Sequence, residues 1–469
     1  LEVIILRYIS TRGSAPALSF DEVLLAGLAR DGGLYLPESW PKFSAADIKS
    51  LRGLSYAEQG VRIMTPFLGG TIKEDDFAAL VADSYAGFDH KAVAPMSQLA
   101  ANEWLLELFH GPTLAFKDLA LQLLGRLFDH LLTKRGERVT IVGATSGDTG
   151  SAAIEACRDR ASIDIVILHP HNRVSEVQRR QMTTVDAANV HNVAIDGTFD
   201  DCQDIVKALF NDLAFRDEMR LSAVNSINWA RIMAQIVYYF SSAVSLGAPD
   251  RAVSFAVPTG NFGNVFAGYA AKTMGLPVDQ FIIGSNRNDI LTRFFNSGTM
   301  SIGEVQPSLS PSMDIQVSSN FERLLFDLLG RDGKAVSALM ESFRKDGKMS
   351  VTLAQWRVAD INFSAFMLDD MGTKRAISRL HAETGHLIDP HTAVGIMAGR
   401  AKRRNPTTPL IALATAHPAK FPDAVRSSTG VYPSLPPRME DIFSRPERFS
   451  VLPNDVGAVR EHVRKVALQ

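Results

Sequence analysis

An α/β fold with at least two open, mostly parallel sheets is the prediction of two series of segments and one bulk property. In the first series, short β-branched apolar runs meet a turn and then a helical stripe: 139–142 leads through 143–150 into 151–157, 163–168 into 174–182, and 190–195 into 202–210. That alternation is the signature of parallel strands joined by crossover helices. A second series begins at 253–257, turns through 258–264, continues as the stripe 265–274 and returns to a strand at 281–284. The chain has 469 residues, 46% of them hydrophobic, which is enough to bury more than one core.

Each remaining stretch has its own reading. Residues 1–95 form an amino-terminal region of mixed structure, with helical patterns at 20–29 and 56–68 punctuated by Pro37 and Pro41. The run 410–414 is a further buried strand, ending at Thr415-Ala-His-Pro418. Residues 299–319, rich in Ser, Pro and Gly, read as a long loop, and 432–453, with five prolines, as a surface wrap.

Lys plus Arg is 49 against 51 for Asp plus Glu, a net charge of −2. Such a balance supplies no long-range field for nucleic acid or anionic lipid, so small molecules are the expected partners. The two cysteines, Cys157 and Cys202, lack CxxC spacing and read as buried thiols in a reducing compartment. The apolar run 3–6 is shorter than a signal-peptide core and meets Arg7, and nowhere do eighteen apolar residues run together. No membrane span and a cytoplasmic location are expected.

Three motifs carry chemistry. The turns Gly143-Ala-Thr-Ser-Gly-Asp-Thr-Gly150 and Pro258-Thr-Gly-Asn-Phe-Gly-Asn264 both sit where a strand passes into a helix. Ligands of open parallel sheets bind there, and free N–H groups at the helix start can hold an anion without Lys or Arg. Neither turn is a Walker A loop or GxGxxG, which disfavours nucleotides. The third motif is Phe109-His-Gly-Pro-Thr-Leu-Ala-Phe-Lys-Asp118, which opens an apolar helical pattern. Partial burial at a helix amino terminus would disfavour the ammonium of Lys117 and free its amine as nucleophile and base, as a Schiff-base lysine requires. The ordinary alternative is a lysine snorkelling from a surface helix.

Together these motifs, with ATAHPAKF from Ala414, Arg7-Tyr-Ile-Ser-Thr-Arg-Gly13, Gly32-Gly-Leu-Tyr-Leu-Pro37, Ser285-Asn-Arg-Asn-Asp289 and Ser318-Ser-Asn-Phe-Glu-Arg323, resemble the threonine synthase family, in its bacterial and fungal branch. The likeness spans roughly residues 7–425. It implies a fold-type II pyridoxal-phosphate enzyme, similar to the tryptophan synthase β chain. The implied domains are an amino-terminal region at 1–95, a large cofactor domain at 96–130 and 224–469, and a small substrate domain at 131–223. Lys117 would hold the aldehyde of pyridoxal 5'-phosphate; Gly260, Asn261, Phe262, Gly263 and Asn264 would cradle its phosphate; Thr415 would face the pyridine nitrogen. Thr145, Ser146, Asp148, Thr149 and Asn288 fall to the substrate. The implied reaction converts O-phospho-L-homoserine and water to L-threonine and phosphate, by a monomer or homodimer.

Two rivals stay open. A serine or threonine dehydratase of the same fold would act on a hydroxyl substrate and need no second phosphate cradle. A relative without activity would act as a binding protein, against which the intact Lys117 and Thr415 argue. His381, His386 and His391 lack HExxH spacing and a carboxylate in the ligand position, so no metal is expected. Asp389 and Pro390 read instead as the cap and first turn of a helix.

Overall fold

The computed structural model describes residues 6–223 and 226–467. The chain forms two compact units, Leu1–His110 with Ser226–Pro433, and Gly111–Asn225 with Ser434–Gln469.

In the first unit a short antiparallel ribbon pairs β1 (Tyr8–Ser10) with β2 (Tyr35–Pro37). Its main sheet contains β3 (Met96–Ala100), β4 (Glu103–Glu107), β9 (Val253–Pro258), β10 (Val278–Ser285), β13 (Phe363–Met367) and β14 (Leu410–Ala414), in the order β13-β10-β9-β14-β4-β3. Every neighbouring pair is parallel except β3 with β4. The central strands β9 and β14 are buried along their whole length, as continuous apolar runs covered on both faces must be. Because β9, β10 and β14 run the same way, the 258–264 turn, the 285–289 segment and Thr415 all leave the same edge of this sheet. A second ribbon pairs β11 (Thr299–Ser301) with β12 (Lys348–Ser350).

The second unit is a five-stranded parallel sheet of β5 (Val139–Ala144), β6 (Ile163–Pro170), β7 (Val190–Asp196), β8 (Leu221–Ser222) and β15 (Ser450–Pro453), in the order β15-β7-β6-β5-β8. The Lys117–Arg135 helix belongs to this unit and packs on the Asp148–Cys157 helix. Gly125 makes that approach possible, since a Cβ there would stand 2.3 Å from the Ala156 carbonyl oxygen. Cys157 and Cys202 are both buried free thiols.

The units depart from the domain limits expected from sequence. Residues 434–469, expected in the large domain, lie in the second unit. There β15 takes register on β7 from Ser450 with Val193 to Pro453 with Asp196, Arg179 meets Glu447 through two bonds of 2.8 and 2.9 Å, and Val459 and Val463 enter the core. The stretch 432–453, expected to wrap the surface, therefore ends as an edge strand, while 299–319 is irregular apart from β11 and one short 3-10 turn at Pro311–Met313. The segment 111–130 also joins the second unit, and the amino-terminal region joins the first. The limit expected at 224 and residues 3–5 of the apolar run lie outside the described residues. Among those described, no helix is long and apolar enough to cross a membrane.

The amino-terminal region is tied to its unit by one buried cation. Arg323, 0% exposed, donates to the Tyr35 carbonyl at 2.9 Å, the Ile227 carbonyl at 2.6 Å and the Asn320 side-chain oxygen. Next to it Glu322 takes the Arg12 guanidinium at 3.0 Å. Replacing Arg323 strands three buried acceptors at about 1–3 kcal/mol each. Arg323→Met should therefore lower the unfolding free energy by at least about 3 kcal/mol in urea titrations, and Arg323→Lys should recover only part of it.

Candidate active site

Lys117 is the first residue of its helix, and the loop before it is held by Asp118. The two oxygens of Asp118 accept from the Thr113 N–H and hydroxyl, each at 2.7 Å, and a Cβ on Gly111 would stand 2.4 Å from Asp118 Cβ and 2.6 Å from its Oδ2. Lys117 is buried, with Nζ 3.3 Å from Asp148 Oδ2 and 4.9 Å from the centre of the Phe116 ring. It is a core amine facing a carboxylate, not a snorkelling surface lysine.

In the 143–150 turn, Thr145 Oγ1 accepts from the N–H groups of Gly147 at 3.0 Å and Gly150 at 2.8 Å. Its hydroxyl thus builds the turn. Gly147, at φ +138°, precedes the Asp148–Cys157 helix, whose amino terminus has no side-chain cap. Ser146 is exposed and Thr149 half-buried. Asp148, expected to face substrate, is buried with Oδ2 on Lys117 and Oδ1 accepting from Gln178 Nε2 at 2.7 Å.

The 258–264 turn is set by Phe262, which adopts a left-handed φ of +63° at the start of the Gly263–Met274 helix. Its ring is packed among Phe295, Phe321 and Phe363 at 6.1, 5.2 and 6.0 Å between centroids, which holds a conformation that a non-glycine residue seldom adopts. This helix too begins without a side-chain cap. Gly260 lies against the 312–318 segment: a Cβ would stand 3.1 Å from Met313 Cα and 3.2 Å from the Ser312 oxygen, while Ser318 Oγ donates to the Gly260 carbonyl at 2.7 Å. The Asn261 carbonyl accepts from the Asn320 N–H at 3.1 Å. Asn264 turns inward, its Oδ1 accepting from Tyr238 at 2.6 Å and Tyr239 at 2.8 Å, and its Nδ2 is buried without a partner.

Thr415 is buried directly after β14. Asn288 is spent internally: Nδ2 donates to the Gln306 carbonyl at 2.8 Å and Asp314 Oδ1 at 3.0 Å, and Oδ1 accepts from the Gln306 N–H at 2.8 Å. Its structural work is to hold the 304–316 loop.

Sequence reasoning passed over Arg231. It lies in the Trp229–Ser245 helix, 4% exposed, with Nε and Nη1 buried and unpartnered, and burial pulls the guanidinium down to about 10. Among the described residues neither nitrogen has a hydrogen-bond partner, and a desolvated cation so placed favours an anionic ligand. The available signal was a lone arginine in a helix that is otherwise almost wholly apolar and buried.

Within the second unit the chemistry is that of a buried amine beside a glycine turn that opens a helix; within the first it is a glycine turn opening a helix, a hydroxyl at a strand end and a buried guanidinium. Comparisons with known proteins agree. The family descriptions "Threonine synthase N terminus", "Pyridoxal-phosphate dependent enzyme" and "Threonine synthase, C-terminal" match residues 7–85, 92–344 and 392–463. The chain is 58% identical over 459 residues to a threonine synthase of Pseudomonas aeruginosa, covering 98% of each. It is similar to the crystal structure of a PLP-bound threonine synthase from Brucella melitensis, with TM-score 0.97 and 54% identity over 99% of this chain and 100% of that one. The yeast threonine synthase structure gives TM-score 0.94 at 37% identity, covering 99% of each. With a buried lysine opening its helix, two bare helix ends at glycine turns and likeness along nearly the whole chain, this protein belongs to the threonine synthase family of pyridoxal-phosphate dependent enzymes.

Proposed function

We propose that the chain converts O-phospho-L-homoserine and water to L-threonine and phosphate, with pyridoxal 5'-phosphate as cofactor. The observation that carries the reading is the buried amine of Lys117 at the head of its helix, in a chain that belongs to this family throughout its length. Lys117 takes the cofactor aldehyde. The N–H groups at the start of the Gly263–Met274 helix, with Gly260, Asn261, Phe262 and Asn264 shaping the turn, take its phosphate. Thr415 meets the pyridine nitrogen with a neutral hydroxyl, which unlike a carboxylate does not fix a proton there, and competing transamination is restrained.

Pyridoxal phosphate supplies the electron sink that acidifies the α and β protons of a bound amino acid. Lys117 Nζ then takes the α proton and moves a β proton. Ser146, Thr149 and the bare amino terminus of the Asp148–Cys157 helix orient the substrate carboxylate, with Thr145 shaping the turn behind them. Arg231 takes the substrate phosphate, which leaves from the γ carbon while water adds its hydroxyl at the β carbon. Asn288 acts indirectly through the loop it holds. A dehydratase substrate, with hydroxyl as leaving group, would give Arg231 no counter-charge. Two buried thiols suit a reducing cytoplasm; a monomer or homodimer would serve equally.

Incubated with pyridoxal phosphate, the protein should gain a visible absorption band that borohydride removes, leaving the cofactor mass on the Lys117 peptide. Lys117→Ala should show neither band nor phosphate release; a colourless wild type would sink the reading. Arg231→Gln should keep the visible band but raise KM for O-phospho-L-homoserine about 10- to 100-fold, the cost of a lost charge-assisted hydrogen bond. Loss of the band in that variant would instead place Arg231 on the cofactor.

A further inference from the structure

We propose that Asp148 is the proton-holding partner of Lys117, that Gln178 is the positioning residue that aims it, and that this trio sets the pH at which Lys117 becomes a free amine. The inference rests on the reading of Lys117 as the cofactor lysine, and it gives Asp148 a role other than contact with substrate.

The geometry is specific. Lys117 and Asp148 are 8% and 5% exposed, with Nζ 3.3 Å from Oδ2. Opposite charges this close, out of water, each favour the ionised form of the other. The second oxygen of Asp148 is fixed by Gln178 Nε2 at 2.7 Å. Reversing the Gln178 amide would set Oε1 against the carboxylate, which can only accept; as placed, Oε1 accepts from the Ser175 hydroxyl at 2.9 Å. Space for this arrangement depends on Gly147, where a Cβ would stand 2.6–2.7 Å from the Gln178 amide atoms. Asp118, the next residue on the same helix, accepts from Thr113 through both of its oxygens. The helix start at Lys117 disfavours its ammonium, and the one at Asp148 favours its carboxylate. Asp148 is thus the group built to hold a proton on Lys117.

A carboxylate with both oxygens engaged cannot also bind a substrate carboxylate, which it would repel. Its use is earlier in the cycle. With the cofactor aldehyde bound, Asp148 Oδ2 would accept a proton from Nζ and so leave the lone pair of Lys117 available to it.

The test is competitive acetylation of the full-length, cofactor-free protein across a pH series, read at Lys117 by mass spectrometry. Asp148→Asn should raise Lys117 labelling at neutral pH about tenfold or more, because loss of the partner charge lowers the pH at which the amine is free. Gln178→Met should shift the profile the same way by less, and should add nothing in the Asp148→Asn background. An unmoved profile in Asp148→Asn, or an equal Gln178→Met shift in both backgrounds, overturns the proposal. Melting curves check folding, and Asp148→Ser replaces any Asn variant that fails to fold. Because labelling needs no cofactor, its outcome is separate from the wild-type visible band, which tests the role of Lys117 itself.

Discussion

A positive charge taken out of water must be answered, and three buried cations, Arg323, Lys117 and Arg231, meet that demand differently. Arg323 is satisfied by uncharged oxygens and joins the amino-terminal region to its unit. Lys117 is answered by one carboxylate that is itself restrained. Arg231 has its Nε and Nη1 unanswered by the protein. Three neutral acceptors make Arg323 a fixed joint, a carboxylate faces the amine of Lys117, and two nitrogens of Arg231 have no partner among the described residues. Structure and chemistry are therefore allotted by how completely each charge is compensated.

Helix amino termini offer a chain of net charge −2 backbone N–H groups in place of basic side chains. Most helices here close their own ends. Ser55, Thr198 and Asp389 each cap a helix with their side chain. The two helices that follow the glycine turns have no cap from their own N-cap residue, although Thr145 takes the Gly150 N–H in the first turn of one of them. The absent caps cost local stability, which the surroundings offset: Phe262 sits in an aromatic cluster, and Thr145 bonds two N–H groups within its own turn.

Much of this was legible in the sequence because the relevant signals are local. The runs at 139–142, 163–168, 190–195, 253–257 and 410–414 fall inside observed strands, and Asp389 caps its helix as its spacing with Pro390 suggests. Lys117 could be singled out by the motif around it. Its partner could not, since Asp148 lies 31 positions away and nothing local fixes that distance. Arg231 was invisible for the same reason: one arginine in an apolar helix says nothing of what surrounds it. Asn288, given to the substrate only by the family likeness, is seen here bonding its amide to the Gln306 backbone. The strand Ser450–Pro453 has only four half-exposed residues and is defined by its neighbour, not by its composition.

That last strand has a consequence for biogenesis. Because β15 lies on the outer side of β7, the second unit's sheet takes its edge from residues that leave the ribosome after nearly all of the first unit. Until then the nascent sheet presents the backbone of β7 as an open template, the kind of edge that invites pairing with other chains. The strand that closes this edge of the second unit is thus synthesised last, after the helix that begins at Lys117.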